Sequence, residues 1–430
     1  MKRLSTLILL LSASLMAMSQ VYLEPLPNSP VASWRHDDVW FLNEELGWVC
    51  NVDGEIWKTT DGGDSWVLQL DQPTSFRCIT FADEMHGWVG NLGPGNWAPT
   101  DDTNVIYSTD DGGETWNAAT NISGPIPAGI CGIQAVNADV IYAVGRWLGP
   151  AYFMSSHDGG ESWVSQDLGD IANELIDVHF FTPDTGFVAG GTGAGEAALY
   201  YTTDGGESFE NYYAVEGDHF WKAEFNNEDF GYVSIWEEFD TPSYYIQTHD
   251  GGDSWEEVQY SPDYYYAEGI GFANDTLGWV GGGADTRMTT DGGETWSSVV
   301  IDATHQDYIN RFRFVNENCM YAVGSRVYKY TAPIVTSVTS YDHDNGLLLE
   351  NHPNPFLTST TIKYTLTEDT HVELSVHDMG GRRIKTLVNE DQPTGSYELL
   401  FQLDQNGADS FVCSLKTTEA KKVITMISVE

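Results

Sequence analysis

Positive charge is what this 430-residue sequence has least of: 19 lysines and arginines face 64 aspartates and glutamates, a formal net charge of −45. So acidic a surface repels phosphate backbones, which excludes nucleic acid as a partner. Cysteine is also scarce. The five at positions 50, 78, 131, 319 and 413 have no zinc spacing and are too few for a disulfide scaffold. Most sit in apolar runs such as Trp48-Val-Cys50 and read as buried thiols, with Cys50–Cys78 or Cys78–Cys131 bridges the other arrangement. No apolar run is long enough to cross a membrane as a helix. No histidine, aspartate and glutamate cluster has metal-ligand spacing, no glycine-rich loop leads into a helix, and no Gly-x-Ser-x-Gly word occurs. No metal, cofactor or serine nucleophile is therefore expected.

What the chain does contain is one word, six times. It reads Thr59-Thr-Asp-Gly-Gly-Asp-Ser-Trp66 and recurs with its third-position aspartate at Asp61, Asp111, Asp158, Asp204, Asp250 and Asp291. A period in the forties with strand-like flanks signals radial repetition, one propeller blade per repeat. Asp-Gly-Gly is turn material, since the carboxylate caps backbone N–H groups and glycine supplies positive φ. These six aspartates are therefore expected to be structural, and the box tryptophan to lie between neighbouring sheets.

Upstream of the boxes runs a second unit, seen as Gly47-Trp-Val49, Gly87-Trp-Val-Gly90, Tyr142-Ala-Val-Gly145, Gly186-Phe-Val-Ala-Gly190, Gly231-Tyr-Val233, Gly278-Trp-Val-Gly281 and Tyr321-Ala-Val-Gly324. There are seven of these, one more than the boxes. Each repeat then reads as strands A, B and C, the box turn and strand D. The seventh stops after strand C, and a strand near Val21–Glu24 is expected to complete it and close the ring.

Residues 1–19 carry Lys2-Arg3, the apolar run Leu7–Leu11 and small residues before Gln20, and read as a secretory signal. The propeller is expected over 20–332 and a linker over 333–350. From 351 to 430, alternating strands at spacings of about ten residues predict a small Ig-like β-sandwich. The whole is all-β.

Two resemblances follow from particular residues. Pro353-Asn-Pro-Phe356, Thr360-Thr-Ile-Lys-Tyr364, Asp378-x-x-Gly-Arg382, Thr386-Leu-Val-Asn389 and Gly395-Ser-Tyr-Glu398 resemble the type A C-terminal sorting domain of type IX secretion in Bacteroidota. That implies the type IX machinery as a partner, passage through the outer membrane, and release or attachment at the cell surface. The boxes with their Gly-Trp-Val-Gly strands resemble the seven-bladed photosystem II stability/assembly factor group. They are also similar to sialidases, xyloglucan-cleaving glucanases and the sortilin ectodomain. The resemblance implies the fold and leaves the activity open.

The boxes belong to one face, so ligands are expected at the other, where D–A and B–C loops emerge. Those loops place Trp34, Arg35, His36, Asp37, Arg77, Arg146, Trp147, Asp218, His219, Trp221, Trp236, Tyr265 and Arg311 as candidate ligand-binding residues. Aromatic rings cover apolar faces, while arginines and carboxylates bond hydroxyls, carboxylates or amines. The expected function is a recognition module for a glycan, peptide or protein. The alternative is a hydrolase of sialidase type, with Arg35, Arg77 and Arg311 around a carboxylate, or of glucanase type, with acids drawn from Asp37, Asp101, Asp218 and Glu237.

Overall fold

The computed structural model describes residues 23–430 apart from 96–99, 237–241, 275, 284, 303–307, 317, 333–346, 355, 357, 379–382, 403–408, 418–420 and 429–430. The expected signal (1–19) and most of the expected linker lie outside the described residues.

Seven sheets, here blades 1 to 7, form the first part of the chain: six are four-stranded and antiparallel, and blade 3 is five-stranded. Their inner strands are His36–Phe41, Phe76–Phe81, Gly132–Ala135, Glu174–Phe180, His219–Phe225, Ile270–Phe272 and Arg311–Asn316. Each inner strand packs against the next, and the seventh packs against the first, so the sheets close into a β-propeller. Leu23–Pro25 pairs with Val327–Thr331 and supplies the outer strand of blade 7. Blade 3 has an extra edge strand, Ile122–Ser123, which lies parallel to Trp163–Asp167.

The box turns are held by their own side chains. In the first, Thr59 Oγ1 donates to Asp61 Oδ1 (2.8 Å), while the Ser65 N–H and hydroxyl donate to the two carboxylate oxygens (2.8 and 2.5 Å). The same pattern recurs at Asp111, Asp158, Asp204, Asp250 and Asp291. The first glycine N–H of each box bonds a carbonyl in its own blade's A–B turn, for example Gly62 to Glu45 at 2.8 Å, so boxes and A–B turns share a face.

The second glycine is needed twice over. It has positive φ (93° at Gly63, 97° at Gly113), and a Cβ there would meet a neighbouring side chain, such as Phe153 at 2.3 Å from Gly206. Trp48 of blade 1 donates from Nε1 to Gly112 O of the blade 2 box (3.2 Å), and Tyr321 of blade 7 donates to Gly62 O of the blade 1 box (3.1 Å). The strand B aromatics Trp48, Trp88, Tyr142, Tyr232, Trp279 and Tyr321 are fully buried, as are the strand C rings Phe153 and Tyr245, which meet the second glycine of the next blade's box. Of the box aromatics only Trp163 is fully buried. The others, expected between the sheets, are half-buried and stand edge-on to a phenylalanine, as Trp66 does to Phe41 (6.3 Å, 87°). All five cysteines are buried and free.

Beyond the propeller, two further sheets hold the strands Leu348–His352, Ser359–Leu366 and Gly395–Gln402 on one side and Thr370–Asp378, Arg383–Gln392, Asp409–Lys416 and Lys421–Ser428 on the other. They enclose one core, with Ile362, Tyr364 and Phe401 facing Leu374, Val376 and Leu415. The strand Leu348–His352 begins inside the segment expected to be linker.

Trp48→Ala is expected to cost about 3–5 kcal/mol, as large core truncations do, and Trp66→Ala distinctly less. Urea unfolding of both variants measures the difference. Acid is expected to loosen the boxes. Hydrogen bonds from Ser208 and Thr202 hold Asp204 at about 2, against about 3.9 in an unfolded chain. A carboxylate depressed on folding stabilises the fold above its unfolded pKa and loses that effect as pH falls toward its folded value. The gap in melting temperature between wild type and Asp204→Asn should therefore close between about pH 4 and pH 2. A gap independent of pH would show that the carboxylate's charge contributes nothing.

Candidate functional site

An antiparallel strand normally turns alternate residues to opposite faces, so a single extra residue redirects a side chain. Four inner strands carry such an irregularity near their N-terminal ends. Asp37 is extra between His36 and Asp38, Arg77 between Phe76 and Cys78, and Ile176 between Leu175 and Asp177, while Trp221 and Lys222 lie in the slip between Phe220 and Ala223. Asp37, Arg77 and Trp221 meet in one pocket at the face opposite the boxes. It is lined also by Trp34, Arg35, Val52, Leu92, Trp147, Tyr266 and Glu268, and its cavity of about 80 Å³ is partly open to solvent.

The pocket floor is ionic and its charges cancel. Asp37 Oδ1 accepts from Arg77 Nη1 and lies 3.4 Å from Arg35 Nε. Arg35 Nη1 donates to Glu268 Oε2, and Tyr266 OH donates to Glu268 Oε1 at 2.8 Å. All four charged side chains are at least nine-tenths buried. Burial opposes the charge on Arg35, but Glu268 and Asp37 more than offset it and raise its pKa. Burial likewise opposes charge on Glu268, yet Arg35, Arg77 and the Tyr266 hydroxyl hold its pKa below the usual carboxylate value. Two guanidiniums also lie over indoles: Arg35 over Trp34 at 4.6 Å and Arg77 over Trp221 at 5.2 Å. Trp147 meets Trp221 edge-on at 6.1 Å and extends the aromatic wall.

Beneath the pocket a second charged layer crosses the axis. Arg311 of blade 7 reaches Asp177 of blade 4 (2.5 Å) and Asp38 of blade 1 (3.3 Å). Arg313 donates to both oxygens of Glu224 in blade 5 (3.1 Å each) and lies 4.4 Å over Trp40. Lys222 is 2% exposed and its Nζ has no hydrogen-bond partner among the described residues. Burial pushes its pKa down, Asp177 counters, and Arg311 and Arg77 add to the fall.

Of the residues anticipated at this face, Trp34, Arg35, Asp37, Arg77, Trp147 and Trp221 come together in the pocket. Arg146 stands beside it, donating from Nη1 to Leu92 O and Pro94 O (3.2 Å each). His36 is buried, its Nε2 3.0 Å from Pro30 O. His219 is buried against Glu174 (Nδ1 to Oε1, 3.1 Å) and stacks on Trp236. Asp218 is exposed and outside the pocket lining. Two placements differ from expectation. Tyr265 faces inward, its hydroxyl donating to Asp285 O, and the next residue, Tyr266, enters the pocket instead. Arg311 lies in the layer below, with acids of blades 1 and 4 already on it, so three arginines do not converge on one open point. Glu268 was not anticipated. It follows Tyr266 by two residues, on the same side of an extended segment, and that alternation was its only signal.

Two carboxylates, Asp37 and Glu268, thus meet among aromatic rings, the arrangement a glycosidase needs. Each, however, is bonded to an arginine, and Glu268 is held ionised, whereas a general acid must keep its proton. Of the other acids considered for such a pair, Asp101 and Asp218 are exposed, and Glu237 is outside the described residues. Among the described residues no group of three histidine, cysteine, aspartate or glutamate side chains could hold a metal ion.

Removing Asp37 leaves two buried guanidiniums facing one another with one counter-charge. Asp37→Asn is expected to cost about 3–5 kcal/mol in chemical denaturation, whereas Asp218→Asn on the surface should stay within about 0.5 kcal/mol of wild type.

No protein-family profile matches the chain. The photosystem II assembly lipoprotein Ycf48 of Nostoc sp. is 26% identical over 220 residues, which is 49% of this chain and 56% of that relative, so the chain spans little over half of its length. Ycf48 of Synechococcus sp. (strain CC9902) is 24% identical over 303 residues, 67% of this chain and 82% of the relative. Among solved structures, Ycf48 bound to a D1 peptide superposes with a TM-score of 0.53 at 16% identity, over 72% of this chain and 95% of that one. The chain is similar to the Ycf48 proteins in sequence, and the structural likeness establishes the β-propeller fold.

Proposed function

We propose that this protein is an exported recognition module, whose propeller receives a partner in the axial pocket while its C-terminal sandwich serves as a type IX sorting domain. The pocket itself carries the first half of this reading. Aromatic walls surround a floor whose charges are already paired, which suits holding a ligand and leaves no proton poised for transfer. That a Ycf48 propeller has been solved with a bound peptide supports a binding or assembly role for a similar scaffold. The words around Pro353-Asn-Pro-Phe356 and Gly395-Ser-Tyr-Glu398 support the export route, as does the signal-like stretch 1–19. Delivery to the cell surface or release into the medium follows from that route.

The test is to incubate the purified chain with polysaccharides, sialyl-glycans and peptide arrays, scoring bound ligand and released reducing ends together. Binding without turnover is expected, lost on Trp147→Ala with the fold intact by circular dichroism. Reducing-end release that disappears in Glu268→Gln would replace the binding module with a hydrolase. Deleting residues 351–430 is expected to trap the propeller in the periplasm of the producing cell, read by fractionation.

A further inference from the structure

The exposed apolar side chains of the propeller are not spread evenly. Twelve large ones are exposed among its described residues. Seven of them, Trp34, Leu148 and Tyr266 included, stand on the D–A and B–C loops, the face where the pocket opens. Four lie on outer strands, and Met85 alone is on the box face. Apolar surface gathered on one face among polar residues marks a place where another macromolecule docks.

The pocket at the centre of this face is small. A cavity of about 80 Å³ has room for about six water molecules, and so for one side chain rather than a free-standing ligand. Its open walls are apolar. Val52 and Trp147 are half-buried and Tyr266 is exposed, while the floor charges are paired with one another. An apolar side chain fits there without disturbing those pairs, and protein interfaces commonly centre on one such anchor held in a pocket.

Around this anchor point the loops carry one sign of charge. Asp53, Asp101, Asp170, Glu196, Asp218 and Asp263 are all exposed, whereas the loops hold no lysine and none of their described arginines is exposed. Two copies of such a face repel each other. A basic polypeptide is drawn to it, and can place one side chain in the pocket while its flanks lie over the carboxylates.

We propose that the loop face docks a basic segment of a partner protein, which seats one apolar side chain in the axial pocket and lays lysines or arginines on the surrounding carboxylates. The proposal rests on the reading of the protein as a recognition module and names the chemistry of its partner.

The full chain is titrated by calorimetry with three end-blocked peptides. One is Lys-Lys-Gly-Leu-Gly-Lys-Lys, the second has alanine for the leucine, and the third has glutamate for every lysine. The leucine peptide is expected to bind about tenfold more tightly than the alanine peptide, the value of burying one such side chain, and the glutamate peptide not to bind. Trp147→Ala removes a pocket wall, so it should bring the leucine peptide down to the alanine level and leave the alanine peptide unchanged. Asp101→Lys, Asp170→Lys and Asp263→Lys combined should weaken both lysine peptides about tenfold and keep the preference for leucine. Should that variant melt early, raising the salt concentration tests the same charges. Equal binding of the leucine and alanine peptides would overturn the anchor, and a glutamate peptide as tight as the lysine one would overturn the charge match; either ends the proposal. If neither lysine peptide binds, the proposal fails, and a glycan or acidic peptide bound by the same chain would still leave the recognition module standing.

Discussion

Ion pairs across the axis are the constraint on which the rest of this propeller depends. Seven inner strands bring their N-terminal ends to one small region, where four of the propeller's cations, Arg35, Arg77, Lys222 and Arg311, are buried with five carboxylates and a fifth, Arg313, is 11% exposed. Each charge alone would be prohibitive to bury; paired and hydrogen-bonded, they become tolerable but exacting. Three of the pairs join blades that are not neighbours, 7 to 4, 7 to 5 and 1 to 6, so the ring is braced across its diameter as well as around its rim. The upper layer of this bracing is also the pocket floor. Stability and ligand chemistry therefore share the same side chains, and a change of either charge type would disturb both.

Much of the architecture was legible because it is periodic. Six boxes and seven Gly-Trp-Val-like strands number the blades, and the missing seventh box points to a closing strand from the other end of the chain. The loop face was legible for the same reason, since it is whatever the boxes do not occupy. Non-periodic features were not. The extra residues Asp37, Arg77 and Trp221 look like ordinary strand positions until a partner strand shows which of them lacks a counterpart. Three consecutive tyrosines, 264 to 266, have no phase of their own, and only the hydrogen bond of Tyr265 to Asp285 settles which faces outward. The box tryptophans misled in a different way. Their size argued for full burial, but strand B rings such as Trp48 and Tyr321 take the buried inter-blade position and donate to the first glycine carbonyl of the next box.

The pocket is also where this propeller's individuality lies. Box turns, strand B rings and blade order recur, so they describe a scaffold that many activities can share. The axial residues do not recur: each blade contributes a different one, and only their meeting gives the site its character. Similarity to the Ycf48 proteins at about a quarter identity reaches the scaffold readily. Ligand choice turns on a few side chains at the strand ends.

The short strand Leu23–Pro25 has a consequence for how the molecule reaches its native state. It is synthesised first, yet its partner Val327–Thr331 is among the last parts of the propeller to appear. Bringing segments some three hundred residues apart together is a slow, entropically expensive closure. Until it happens, the last blade presents an unpaired edge and the axial charges have no complete set of partners. A chain emerging from its start thus cannot close its ring until the seventh blade has been made.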